Sequence, residues 1–148
     1  MSVVFREATR ADVPAVLALL RDDALGSARE DADLAHYLAA FDAMGAEGGN
    51  TLIVGEQDGV VVATYQLTLI SGLSLRATRR AQVESVRVSS ALRGGGIGEA
   101  MLADAEVRAR AAGCGLLQLT MNASREDARR FYERIGFAAS HVGFKKVL

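Results

Sequence analysis

The sequence predicts an α/β protein: a mixed central sheet of about seven strands with about four helices. Two observations carry that expectation. Apolar residues alternate with a strand period in some segments and a helix period in others, and the two kinds follow one another along the chain. A glycine run, "RGGGIG" at positions 93–98, sits between strand-like "AQVESVRV" and helix-like "GEAMLADAEVRARAA". The 148 residues are 50% hydrophobic and 24% charged, which suits one globular unit, so a single domain over 1–148 is expected.

The elements follow in order. "SVVFREAT" reads as a short strand. "TRADVPAVLALLRDDALG" reads as one helix: Thr9 and Asp12 have capping-box spacing, Pro14 lies early where helices tolerate it, and Gly26 ends it. Val13, Val16, Leu17 and Leu20 fall on one face. "DADLAHYLAAFDAM" is a second helix, with Leu34, Tyr37, Leu38 and Phe41 on one side. "NTLIVGEQDGVVVATYQLTLI" is two strands joined at "EQDG". A polar loop, "SGLSLRATRR", precedes the strand "AQVESVRV". After the glycine run come a helix to about Ala112, the strand "GLLQLTM", the helix "SREDARRFYERI", and two closing strands, "GFAAS" and "GFKKVL".

Glycine costs roughly 1 kcal/mol relative to alanine inside a helix or strand, so the run needs a reason. At a strand-to-helix junction, unpaired N–H groups and the helix dipole favour an anion, above all phosphate. Arg93 adds a full positive charge. The dinucleotide pattern fails, because Gly94 and Gly96 fit but Glu99 holds the last glycine position. The P-loop pattern fails for want of a terminal Gly-Lys-Ser/Thr. The spacing that fits is Arg-x-x-Gly-x-Gly, filled by Arg93, Gly96 and Gly98. A tight turn without a ligand is the plain alternative.

That spacing, after a strand ending in "VRV", resembles the pyrophosphate loop of the GNAT superfamily of N-acetyltransferases. A second block agrees: Asn122, Ala128, Phe131, Tyr132, Gly136 and Phe137 match the family's Asn…Ala-x-x-Phe-Tyr-x-x-x-Gly-Phe segment. The element order matches over essentially the whole chain, and the last third looks most like small-molecule members such as the aminoalkylphosphonate acetyltransferases. The resemblance implies acetyl-CoA as co-substrate. Arg93, Gly94, Gly95, Gly96, Ile97 and Gly98 would wrap its pyrophosphate, and the main chain of Val86, Arg87 and Val88 would pair with its pantetheine arm. Asn122 would bond that arm or only cap the next helix, although Ser124, with Asp127 three residues on, has the better cap spacing.

Two residues are candidates for proton transfer. By strict alternation Glu84 shares a face with Val86 and Val88. A carboxylate there would have a raised pKa and suit a general base, and several family members have Glu at this point. Pairing with an arginine, or a bulge that turns it outward, is the alternative. Tyr132 lies on a helix face with Ala128, Phe131 and Ile135. It is either a core tyrosine or, as the resemblance implies, the acid that protonates the departing thiolate.

The remaining features exclude more than they assign. A net charge of -1 argues against nucleic acid. No apolar run is long enough to span a membrane, and no signal peptide is apparent. One cysteine, Cys114, permits no internal disulfide, which fits a cytoplasmic setting. Cys114 reads as packing, and the isolated His36 and His141 lack metal-ligand spacing, so no metal is expected. Asp22, Asp23, Glu30, Asp31 and Asp33 would favour a cationic amine if they wall the acceptor site, whereas Arg76, Arg79 and Arg80 could meet an anionic group. The expectation is direct acetyl transfer to a primary amine of a small molecule. A protein lysine or N-terminus as acceptor, a non-catalytic acyl-CoA-binding module, and a homodimer all stay open.

Overall fold

The computed structural model describes residues 2–148. Five strands form one sheet in the order β1-β2-β3-β4-β5: β1 Val4–Glu7, β2 Asn50–Gln57, β3 Val60–Ile70, β4 Arg80–Val88 and β5 Leu116–Leu119. The first three pairings are antiparallel and the last, β4 with β5, is parallel. Six α-helices accompany them: α1 Val13–Leu20, α2 Ala24–Arg29, α3 Leu34–Glu47, α4 Ser74–Ala77, α5 Ile97–Ala111 and α6 Glu126–Arg134. The α/β class and mixed sheet are as expected; the counts differ in three places, each with a local cause.

First, the segment from Thr9 to Gly26 is not one helix. A 3-10 turn, Arg10–Asp12, leads into α1, and Asp12 accepts from the Thr9 N–H at 2.7 Å, the expected capping contact. The chain then breaks at Arg21–Asp23 and restarts as α2, capped by Asp23 accepting from the Gly26 N–H at 2.6 Å. Gly26 therefore lies inside α2. A Cβ there would sit 1.6 Å from the Leu20 carbonyl oxygen, so only glycine lets α2 fold back on the end of α1.

Second, the polar loop holds a single turn, α4, in which Leu75, Arg76 and Ala77 take left-handed angles. Third, the closing strands "GFAAS" and "GFKKVL" do not form: among the described residues no strand follows β5. A strand needs a neighbour for its N–H and C=O groups, and the chain after Phe137 has none in ladder register. Its apolar side chains lie in water, with Phe144 92% exposed.

The core explains the rest. Ile53, Ala63, Tyr65, Leu67, Ala81 and Val83 project from one sheet face onto Met101, Leu102, Ala105 and Ala109 of α5. Burying each large apolar side chain stabilises the fold by about 1.5–3 kcal/mol. Alternation sends Val54, Val62 and Thr64 to the other face, where α1 lies with Val13, Val16, Leu17 and Leu19 buried. The "EQDG" turn forms as expected, with Asp58 and Gly59 at φ 52° and 78°. Tyr65, fully buried, donates from its hydroxyl to Asp104 at 2.6 Å, and Arg108 donates to the same carboxylate at 2.8 Å.

Candidate active site

The site begins with a split in the sheet. β4 pairs with β5 only from Arg80↔Leu116 to Val83↔Leu119. β5 then ends, while β4 runs on to Val88. The main chain of β4 beyond Val83 is left unpaired on that side, an open edge of the kind an extended ligand can join. Val86 and Val88 still pack their side chains on the core.

β4 also carries a bulge. Gln66 faces Glu84 and Thr64 faces Arg87, so two residues of β4, Ser85 and Val86, stand opposite Tyr65 alone. Ser85 takes φ 54° to absorb the extra residue. The bulge reverses the alternation. Ala81 and Val83 face α5 before it and Val86 and Val88 after it, whereas Glu84 turns away and is exposed. The expectation that Glu84 shares the valines' face is corrected, and with it the argument from burial.

The glycine loop follows at the carboxyl end of β4. Gly94 and Gly96 have φ 84° and 83°, the left-handed region that strains any side-chain-bearing residue. Gly96 is the N-cap of α5, and its carbonyl accepts from the Ala100 N–H at 3.1 Å. The N–H groups of Ile97, Gly98 and Glu99 therefore point out of the helix end. A Cβ on Gly98 would stand 3.4 Å from the Phe131 ring, and one on Gly95 3.3 Å from the Leu92 carbonyl oxygen. Val88, Leu92, Arg93, Gly94, Gly96, Ile97, Gly98 and Phe131 line a cleft of about 410 Å³ here. Glu99 and Arg134, 3.6 Å apart, line the same cleft, and this cradle of free N–H groups, small residues and two arginines, Arg93 and Arg134, fits a pyrophosphate.

α6 supplies the third wall. Phe131, Tyr132, Ile135 and Phe137 pack on the core, and Tyr132 meets Phe131 and Phe137 edge-on. Burial pushes the Tyr132 phenol above its ordinary pKa, against the pull of the Arg125 and Arg87 charges. Its hydroxyl has no hydrogen-bond partner among the described residues. Asn122 accepts from the Ser124 N–H at 3.0 Å and from its hydroxyl at 2.6 Å, so its carbonyl oxygen shapes the turn before α6. The N-cap is Arg125, not Ser124, because that turn takes up the Ser124 side chain.

Two contacts tie the α1–α2 loop to this site. Asp22 accepts from the Ser90 N–H at 2.8 Å and its hydroxyl at 3.0 Å, and Arg93 donates to the Asp22 carbonyl at 3.1 Å. Arg87 faces Asp23 with Nε 3.2 Å from Oδ2. Neither latch is visible in sequence spacing, since the pairs lie more than sixty positions apart. Arg79 is spent elsewhere, donating to the Ala112 carbonyl at the end of α5. Cys114 is half-buried against the core, consistent with packing. Among the described residues no group of three or more His, Cys, Asp or Glu could hold a metal ion, and no helix is long and apolar enough to cross a membrane.

Residues 14–137 match the model of the acetyltransferase (GNAT) family. The chain belongs to that family. An aminoalkylphosphonate N-acetyltransferase of Salmonella typhimurium is 43% identical over 67 residues, a match that spans 45% of this chain and 44% of that relative. A Bacillus halodurans protein described as a transcriptional regulator superposes with TM-score 0.93 at 40% identity, over 99% of both chains. Glucosamine-6-phosphate N-acetyltransferase of Arabidopsis thaliana shares the GNAT fold, with TM-score 0.81 at 18% identity over 99% of each chain.

Proposed function

We propose that this protein is a single-domain N-acetyltransferase, residues 1–148, that moves an acetyl group from acetyl-CoA to the primary amine of a small molecule by direct transfer. The observation that carries the reading is the glycine cradle set beyond the carboxyl end of β4, a strand whose edge lies open past Val83, with Phe131 of α6 lining the same cleft. Members of the GNAT family use acetyl-CoA, and the cradle fits its pyrophosphate. Arg93, Gly94, Gly95, Gly96, Ile97 and Gly98 would hold that group, and the main chain of Val86, Arg87 and Val88 would hold the pantetheine arm, beside Asn122.

Bound acetyl-CoA supplies an activated acetyl group as a thioester. Glu84, directly or through a water, takes the proton of the acceptor ammonium so that the free amine can attack. Its exposure, set by the Ser85 bulge, leaves it in reach of an incoming solute. N–H groups of β4, that of Val86 among them, polarise the acetyl carbonyl. Tyr132 gives its proton to the departing sulfur. A phenol held protonated by burial is suited to that task, because it stays a donor across the neutral range.

The Salmonella relative's name makes an aminoalkylphosphonate the first acceptor to test. A screen of aminophosphonates, polyamines, aminoglycosides, amino acids and peptides for coenzyme A release tests the reading. Release with a small amine supports it; release with peptides alone would move the acceptor to a protein. A second reading, a non-catalytic acyl-CoA-responsive regulator, draws on the Bacillus halodurans protein, which bears the name of a transcriptional regulator. It requires acetyl-CoA binding with no turnover on any amine.

A further inference from the structure

We propose that Asp22 is a positioning residue for the coenzyme: from the break between α1 and α2 it fixes the start of the glycine loop through Ser90 and orients Arg93 at the cleft. The proposal rests on the acetyl-transfer reading for the identity of the ligand; the latch itself rests on hydrogen bonds of the free protein.

The loop lacks a local hold at its start. β4 ends at Val88, and the Ser89 N–H donates to the Val62 carbonyl of β3 at 2.8 Å. A 3-10 turn, Ser90–Leu92, follows, closed by the Leu92 N–H on the Ser89 carbonyl at 2.9 Å. Ser89 stands at the N-cap of that turn, but its side chain makes no capping bond. The first N–H of a helical turn has no partner within the turn. Three glycines come next, and the bond from the Gly95 N–H to the Leu92 carbonyl is long at 3.4 Å. Glycine loses more freedom than any other residue when a chain is fixed, so a loop built this way depends on what anchors its two ends. α5 anchors one of them.

Asp22 anchors the other. Its Oδ2 accepts from the Ser90 N–H at 2.8 Å and its Oδ1 from the Ser90 hydroxyl at 3.0 Å, across 68 positions of sequence. The carboxylate thus plays the part that a local Ser, Asn or Asp plays at an N-cap. The Ser90 bonds hold the Asp22 carboxyl below its ordinary pKa, so it is an ionised acceptor at neutral pH. Directly after the turn, Arg93 donates from Nη2 to the Asp22 main-chain carbonyl at 3.1 Å. A guanidinium has five N–H donors. One bond to a neutral carbonyl sets the direction of this one and leaves its charge to the cleft, which Arg93 lines with Gly94, Gly96 and Gly98.

Asp22 is itself firmly placed. Its N–H donates to the Leu19 carbonyl at 3.2 Å and that of Arg21 to the Leu17 carbonyl at 3.0 Å, so both continue the end of α1, whose Val13, Val16, Leu17 and Leu19 are buried. The next residue, Asp23, faces Arg87 of β4. Two adjacent acids therefore bracket the outlet of β4, one on the strand and one on the loop. A loop fixed before its ligand arrives has less freedom left to lose on binding, which raises affinity without a new contact.

The test uses two substitutions of the same residue. Asp22→Ala removes both bonds to Ser90 and keeps the main-chain carbonyl that Arg93 uses. Asp22→Asn keeps the shape: its carbonyl oxygen accepts from the Ser90 N–H, and its amide donates to the Ser90 hydroxyl oxygen. Acetyl-CoA is titrated calorimetrically into each protein, well below its melting temperature. Alanine should weaken binding about 10-fold or more, the scale of a hydrogen bond to a charged group, and asparagine should stay within about 3-fold of the wild type. With an acceptor known, the alanine variant should raise KM for acetyl-CoA and keep kcat. Equal affinity in all three proteins overturns the proposal. So does an asparagine variant as weak as the alanine one, which would make Asp22 a charge and not a positioner, or a fall in kcat with KM unchanged. Hydrogen exchange of the free proteins reads the latch without any ligand: the Ser90 amide should exchange faster in Asp22→Ala and not in Asp22→Asn. If acetyl-CoA fails to bind the wild type, the acetyl-transfer reading falls, and unchanged exchange at Ser90 in the alanine variant overturns the latch separately.

Discussion

Replacing Gly96 by alanine separates what the glycine loop does for folding from what it does for binding. Gly96 sits at φ 83°, ψ 3°, a left-handed cap at the start of α5. Left-handed angles cost an L-residue about 1–2 kcal/mol. The more restricted unfolded chain of alanine returns roughly 0.4–1 kcal/mol. No heavy atom lies within 4 Å of the added methyl, so sterics add nothing to the folded state. The net cost is about 1 kcal/mol, which in a chain of this length lowers the melting temperature by about 2–4 °C. Binding should suffer more. The space that is empty around Gly96 is the cleft itself, and losing one charge-assisted contact there costs about 1.5–3 kcal/mol. Acetyl-CoA affinity should fall on the order of 10- to 100-fold by calorimetry. A variant that melts 2–4 °C lower but binds acetyl-CoA like the wild type would refute the cradle. One that melts normally would refute the strain argument.

Other predictions follow from the same geometry. Tyr132→Phe keeps the ring contacts with Phe131 and Phe137 and removes only the proton; turnover should drop about 10- to 1,000-fold with acetyl-CoA affinity kept, and a wild-type rate would leave Tyr132 a packing residue. Glu84→Gln should slow turnover chiefly at low pH, where free amine is scarce, and an unchanged pH–rate profile would remove Glu84 from the reaction. Away from the site, Arg6 holds the Asp12 carboxyl down at about 2, with paired bonds of 2.8 and 3.0 Å. A depressed carboxyl pKa stabilises the fold above its unfolded value and ceases to do so as pH falls through the folded one. Asp12→Asn should therefore melt lower than wild type at pH 7, by an amount worth about 1–2 kcal/mol once the partial exposure of Arg6 is allowed for, and the two melting curves should converge between about pH 4 and pH 2. A constant gap across that window would assign the stability to something other than this pair.

How far the site could be read from the chain depended on the range of the interactions that build it. The glycine loop was legible because a local cost, left-handed backbone at Gly94 and Gly96, needs a local residue type. β4 and α5 were legible because each carries its own periodicity. The orientation of Glu84 was not, because it depends on a register shift against β3 that no feature of β4 alone announces. The same holds for Asp23 and Arg87, which meet only because Gly26 lets α2 fold over the end of α1. The two closing strands failed for the opposite reason. Their pattern suits a strand, but β5 is four residues long and offers no ladder to receive them.

The divergence of β4 from β5 after Val83 also divides one strand into two environments for its amides. From Arg80 to Val83 the strand is bonded on both sides, so opening any of these amides means separating the sheet at its centre. From Glu84 onward the amides turned toward β3 keep that bond, and those turned toward the split face solvent. Hydrogen exchange should therefore change along a single nine-residue strand, slow through its first half and alternating in its second, with the step at the Ser85 bulge. The rigid half holds the fold at its centre, and the other half keeps a row of main-chain donors and acceptors free without local unfolding.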